Sequence, residues 1–310
     1  MLSRVAENIY WMARYLERAE DTARLIYSTS NLLLDLPRNA EVGWYELIRV
    51  FGAETQFKEL YPEAEDERTV LKFLISDKAN RDCIVNCIRG ARENARVTRD
   101  IFPFEVWEQI NELYYFSTEH AKASLSRRKR HEFLYDFIRS CQTMIGISMG
   151  TLPQDEAYQF LRFGRNLERA DMSSRIIDVA AAQLLPEEED INPAFATIRW
   201  MGVLRSLSAF QAYRQQGLVG ISGSAVLQYL IQSREFPRSM HHCLLDVSIC
   251  LKSLEKSHKP RRRVNALLKE INAVDIKSLR RSGLHQYIDE FQLGVGHLHD
   301  AIADAYFGHH

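Results

Sequence analysis

From Ser3 to Leu34 the apolar residues Ile9, Met12, Ala13, Leu16, Ala19, Ala23 and Ile26 recur at steps of three and four, and neither Gly nor Pro interrupts them before Pro37. This is the period of an amphipathic α-helix, and a helix of that length must bury its apolar stripe along other elements. The rest of the chain has the same texture. Only 14 Gly and 8 Pro punctuate 310 residues, and most fall between helical patterns, while strand-like alternation is scarce. The fold class this implies is all-α, a multi-helix bundle.

After the first helix, the pattern predicts helices over 41–51, 67–75, 78–101 with Asp77 as cap, 103–121 with Pro103 in the first turn, 127–150 and 155–185. Tyr61-Pro62-Glu63 reads as a loop and Pro153 as a break. Pro186-Glu187-Glu188-Glu189-Asp190-Ile191-Asn192-Pro193 reads as an acidic linker. Beyond it, helices are expected at 194–215, 222–232, 238–256, 261–273 and 284–306. Residues 1–310 are expected to form one helical domain with two related halves and the acidic linker near 186–193.

One charged stretch occurs twice. Arg14-Tyr15-Leu16-Glu17-Arg18-Ala19-Glu20 returns as Arg165-Asn166-Leu167-Glu168-Arg169-Ala170-Asp171, and seven of thirteen positions agree between Arg14–Ile26 and Arg165–Ile177. The charged positions match as well as the apolar ones, which favours duplication or a shared role over chance. On the first helix Arg14, Glu17, Arg18 and Asp21 share one side, joined by Glu7. Such a face is by default solvated, its ion pairs worth about 0.3–0.5 kcal/mol each. Two features point to burial instead. The second copy has Met172 where the first has Asp21, and Tyr158 where the first has Glu7. Arg24 and Arg175 also lean toward the apolar stripe, where each needs a carboxylate or a ligand anion.

A third charged segment, Ala91-Arg92-Glu93-Asn94-Ala95-Arg96, repeats the Glu-Asn pair of Glu7-Asn8. Downstream, Trp107, Asn111 and Tyr114 follow at helical spacing and are expected to be core packing. The expected ionic seam or binding centre comprises Glu7, Asn8, Arg14, Glu17, Arg18, Arg24, Glu93, Asn94, Arg96, Arg165, Glu168, Arg169 and Arg175. No catalytic residue is assigned.

Composition excludes several classes. Net charge is −1, which exerts no global pull on nucleic acid. The basic runs Arg127-Arg128-Lys129-Arg130-His131 and Lys256-Ser257-His258-Lys259-Pro260-Arg261-Arg262-Arg263 sit at expected helix ends, where cations favour the dipole or are simply solvated. Five cysteines without a Cys-x-x-Cys fit a reducing compartment, and Cys83 and Cys87 are expected to be buried helical thiols rather than a metal corner. No apolar run approaches the ~18 residues of a membrane span, and the charged N-terminal segment is not a secretory signal. A cytoplasmic protein without membrane or nucleic-acid partners is expected. A carboxylate metal bundle needs Glu-x-x-His on paired helices, whereas this chain has that spacing once, at Glu255-Lys256-Ser257-His258, and His297-x-His299 reads as surface or satisfied core. No metal and no cofactor are expected.

The segments Arg4-Val5-Ala6-Glu7-Asn8-Ile9-Tyr10-Trp11-Met12-Ala13-Arg14-Tyr15-Leu16-Glu17-Arg18-Ala19-Glu20, Ala91-Arg92-Glu93-Asn94-Ala95-Arg96, Phe163-Gly164-Arg165-Asn166-Leu167-Glu168-Arg169-Ala170-Asp171 and Phe236-Pro237-Arg238-Ser239 run in order along almost the whole chain. Together they resemble the bacterial alpha-E family, an all-helical domain with a Glu-Arg motif. That family often has Gly where this chain has Ala13, a small-for-small change. The resemblance implies a setting more than a reaction. Alpha-E proteins tend to be encoded beside, or fused to, circularly permuted ATP-grasp proteins, with transglutaminase-like proteases and a proteasome-related peptidase as other neighbours.

Two functions follow as expectations. The first is a non-enzymatic partner or substrate-holding protein for an ATP-grasp-type peptide or amide ligase, whose arginines suit carboxylates and whose Glu residues suit amines in a peptide ligand. The second is an enzyme acting on a peptide or amide bond, with Glu17, Glu168 or Glu93 as acid or base and arginines stabilising an oxyanion. No Ser/His/Asp or Cys/His arrangement and no Gly-rich phosphate loop supports the second.

Overall fold

The computed structural model describes residues 1–35, 43–184, 193–217, 220–281 and 283–308, and among these every regular element is helical. The first helix, α1 (Ser3–Asp35), is unbroken, and all seven residues of its expected apolar stripe are buried. Three short helices follow: α2 (Tyr45–Val50), α3 (Glu54–Leu60) and α4 (Glu67–Ile75). Then come α5 (Ile84–Val97), α6 (Phe104–His120), α7 (Arg127–Thr151) and α8 (Glu156–Leu184). The remaining helices are α9 (Pro193–Ser206), α10 (Phe210–Gln215), α11 (Gly223–Gln232), α12 (Met240–Lys252), α13 (His258–Ala273), α14 (Ile276–Arg281) and α15 (Leu284–Tyr306). The α4, α11 and α12 starts are fixed by Asp66, Ser222 and Ser239, whose side chains accept first-turn N–H bonds.

Helix α1 packs against α5, α7, α8 and α9, and α8 packs in turn against α12 and α15. Helices α1 and α8 run in the same direction. The Met1 ammonium meets Glu156 at 2.6 Å, and Arg14 and Arg18 meet Glu168 further along. The two helices come into close contact at Gly164. A Cβ there would lie 2.7 Å from the Tyr10 carbonyl oxygen and 3.3 Å from the Ala13 Cβ. Gly164 is the repeat equivalent of Ala13, so the two small residues of the repeat face each other.

Several expected boundaries are corrected. The helix expected from residue 78 begins at Ile84, because asparagine side chains divert the backbone before it: Asn80 Nδ2 donates to Phe73 O at 2.9 Å, and Asn86 Nδ2 donates to Asn80 O at 2.7 Å. The helix expected over 41–51 begins at Tyr45 and ends before Gly52, whose φ of +61° starts a turn into the unexpected α3. The expected 194–215 helix is split at Ser208, φ 54°, into α9 and α10. The expected 238–256 helix is likewise shorter, since α12 ends at Lys252, and α14 was not expected. The acidic stretch at 186–192 lies outside the described residues. Cys83 and Cys87 are buried free thiols, as expected. Among the described residues no helix is long and apolar enough to cross a membrane.

Candidate functional site

The two copies of Leu-Glu-Arg-Ala exchange partners. Glu168 of α8 accepts from Arg14 Nε at 2.5 Å and from Arg18 Nε at 2.6 Å, while Glu17 of α1 accepts from Arg169 Nε at 2.5 Å. Each Glu is thus bound by the Arg of the other copy, and each is only 1 % exposed. Met172 and Tyr158, the apolar replacements in the second copy, are buried. The next turn repeats the theme within each helix. Arg24 Nε donates to Glu20 at 2.9 Å, and Arg175 Nε donates to Asp171 at 3.0 Å, so both arginines near the apolar stripe have a carboxylate.

Around Glu17 the seam is closed. Arg238, on the turn before α12, reaches Glu17 Oε1 at 2.8 Å, Glu20 Oε1 at 3.3 Å and Asp21 Oδ1. Burial pushes the Glu17 carboxyl up, but Arg169 and Arg238 outweigh it and hold it at about 2. Asp21 goes the other way. Burial, with Glu17 and Glu20 beside it, raises it to about 7 against the pull of Arg238. One oxygen each of Glu17, Glu20 and Asp21 is buried without a hydrogen-bond partner, so this corner crowds carboxylates, and a proton on Asp21 relieves the crowding.

Around Glu168 the seam opens. Burial again works against ionisation, and Arg14 and Arg18 again prevail, holding the carboxyl at about 2. Arg14 Nη1 donates to the Tyr10 hydroxyl at 3.0 Å, and that hydroxyl lies 2.8 Å from His299 Nδ1 of α15. Burial, then Arg14, lowers the His299 pKa. On the other side Arg18 bonds Asp82, which stands in the turn before α5. Here Arg18, Glu168, Asp82, Asp171, Arg175 and Glu59 line a cavity of about 410 Å³ that opens to solvent. Arg175 Nη1 lies beside Gly52, where a Cβ would come within 3.2 Å of it. The cavity therefore offers guanidinium donors and carboxylate acceptors together.

Not every expected residue joins the seam. Glu93 pairs with Arg96 at 2.9 Å and with Arg92 at 3.4 Å on the surface, its side chain 49 % exposed, apart from Glu17 and Glu168 in burial and in partners. Asn94 is half-buried on α5, where its carbonyl accepts from Thr98 Oγ1; Glu7 and Asn8 are half-buried near the start of α1. Arg165, on the Glu17 side, lines a small recess with Glu17. Trp107 and Tyr114 are partly buried, as expected, but their rings also carry the Arg92 guanidinium, whose Nε donates to Asn111 at 2.6 Å. Arg238, Glu20, Asp82, Tyr10 and His299 were missing from the expected site. Arg238 stood in a motif already singled out, but nothing in its spacing tied it to α1. Among the described residues one cluster, Asp178, His285 and Asp289, has metal-type donors close together. His285 directs one ring nitrogen to each carboxylate, at 2.8 and 3.5 Å, which is the geometry of an exposed ion pair.

The fold and the seam define a class: an all-α bundle centred on two parallel helices whose Glu-Arg dipeptides bind each other crosswise. The sequence profile of the Alpha-E family, described as a predicted alpha-helical domain with a conserved ER motif, matches residues 1–307, and the chain belongs to that family. No curated protein and no solved structure matches it.

Proposed function

We propose that this chain is a non-enzymatic partner of an ATP-grasp-type peptide or amide ligase, and that it holds a charged end of that system's substrate in the cavity beside Glu168. The observation that carries this reading is the double role of one ion pair. Arg18 and Glu168 bind α1 to α8, and the same two side chains line a cavity of about 410 Å³, within the range of small-ligand sites. Arg175 suits a carboxylate, while Asp82 and Glu59 suit an ammonium, so a free amino acid or a peptide end fits the lining. The partner class comes from the family resemblance, which also makes a transglutaminase-like protein a second candidate partner.

The alternative, acid–base catalysis of amide cleavage by Glu17 or Glu168, has less support. Carboxyls held at about 2 by two arginines each are poor proton carriers near neutrality. The test is to mix the chain with an ATP-grasp ligase of the kind that accompanies alpha-E proteins and to follow complex formation and ADP release. A complex that changes ligase turnover, or its KM for the peptide or amine substrate, is expected. No complex and unaltered turnover contradict the proposal.

A further inference from the structure

We infer, resting on the holding role proposed above, that the cavity beside Glu168 selects an amino acid or peptide end carrying a second cation on an aliphatic stem, an ammonium or guanidinium that meets Glu59. Charge balance sets this class. Four carboxylates line the cavity, Glu59, Asp82, Glu168 and Asp171, against two guanidiniums, Arg18 and Arg175. Arg18 is divided between Glu168 and Asp82, and Arg175 Nε is held by Asp171 at 3.0 Å. Arg14 adds a third guanidinium, which reaches Glu168 at 2.5 Å from outside the lining. Even so, the carboxylates outnumber the cations.

Glu59 is the surplus. It is exposed on α3 and has no ion-pair partner among the described residues. A zwitterion brings no net charge: its carboxylate can meet Arg175 and its ammonium Asp82, and Glu59 stays uncompensated. A second cation on the ligand supplies what is missing. The neutral part of the lining favours the same ligand. Gln56 spends its Nε2–H on Ala79 O at 3.0 Å, which leaves its carbonyl oxygen as an acceptor in the wall. Phe51, Leu74 and Met172 complete the wall with apolar surface, which a run of methylenes covers and a bare ammonium does not. A volume of about 410 Å³ admits a dipeptide with a long side chain.

The test is calorimetric titration of the full chain at low salt with glycyl-lysine, glycyl-arginine, glycylglycine and glycylglutamate. The better of the two cationic dipeptides is expected to bind about fivefold more tightly than glycylglycine, and it names the cation; glycylglutamate should bind more weakly than glycylglycine. In Glu59→Gln, an exposed position whose replacement spares the fold, the preference for the cationic dipeptide should fall to about twofold or less. Equal affinity for the cationic dipeptides and glycylglycine, or a preference unchanged in Glu59→Gln, would overturn the inference and leave the holding role standing. No saturable binding of any of the four would overturn both.

Discussion

Glu17 and Glu168 hold equivalent places in the repeat, yet one is sealed behind Arg238 and the other looks into a cavity. Both are ionised and doubly bound, and removing either takes the one carboxylate from an arginine in the seam: Arg169 when Glu17 is lost, Arg14 when Glu168 is lost. Glu17→Ala and Glu168→Ala are each expected to destabilise the chain by about 3–5 kcal/mol in denaturant unfolding. Glu93→Ala, at the surface, should change stability by no more than about 0.5 kcal/mol. The carboxyls of the seam also respond to pH with opposite signs. Glu17 and Glu168 sit below their ordinary 4.5, at about 2, so their contribution is present above pH 4.5 and is lost as pH falls toward 2. Asp21 is raised from 3.8 to about 7, so its contribution is complete below 3.8 and is lost as pH rises through 7. Asp21→Asn removes the second effect alone. Between pH 4 and 8, wild-type stability should therefore decline with rising pH relative to Asp21→Asn, and parallel curves would count against the crowded-carboxylate account.

At the scale of elements, the contact between α1 and α8 depends on Gly164. Adding a methyl there drives Cβ onto the Tyr10 carbonyl, and a backbone oxygen cannot swing aside. Gly164→Ala is expected to lower stability by about 1–3 kcal/mol despite its better helix propensity. Gly146→Ala, in α7 where a Cβ meets nothing within 4 Å, should raise stability by up to about 1 kcal/mol. Thermal unfolding of the two variants gives opposite shifts if the close approach is real. The long helices were legible because their stripes repeat over many turns: α1, α7, α8 and α15 fall within a residue or two of expectation. The region from Asp77 to Cys83 was not, since Asn80 and Asn86 act there through side-chain bonds to backbone that periodicity does not register. The break at Ser208 leaves no comparable mark in the sequence.

For the whole molecule, the burial of the charged face was readable from Met172, Tyr158, Arg24 and Arg175, since apolar residues among charges imply cover. The pairing was not, because it depends on α1 and α8 lying parallel in the register of their repeat, with Arg238 arriving from far along the chain. Sequence likeness between Glu93 and its counterparts also misled, as a shared Glu-Asn pair carries no information about which side of α5 faces α1. The central claim is that one ionic seam both binds the bundle together and, at Arg18 and Glu168, serves as wall of a ligand site. Nitrogen-15 spectra of the arginine Nε–H groups test this most directly, since Arg14, Arg18, Arg169 and Arg175 all donate Nε–H to carboxylates. Titration with glycylglycine as a zwitterionic probe should shift the Arg18 and Arg175 signals saturably and leave Arg169 in place. Arg18 and Arg175 unmoved, or Arg169 moving with them, would contradict the account.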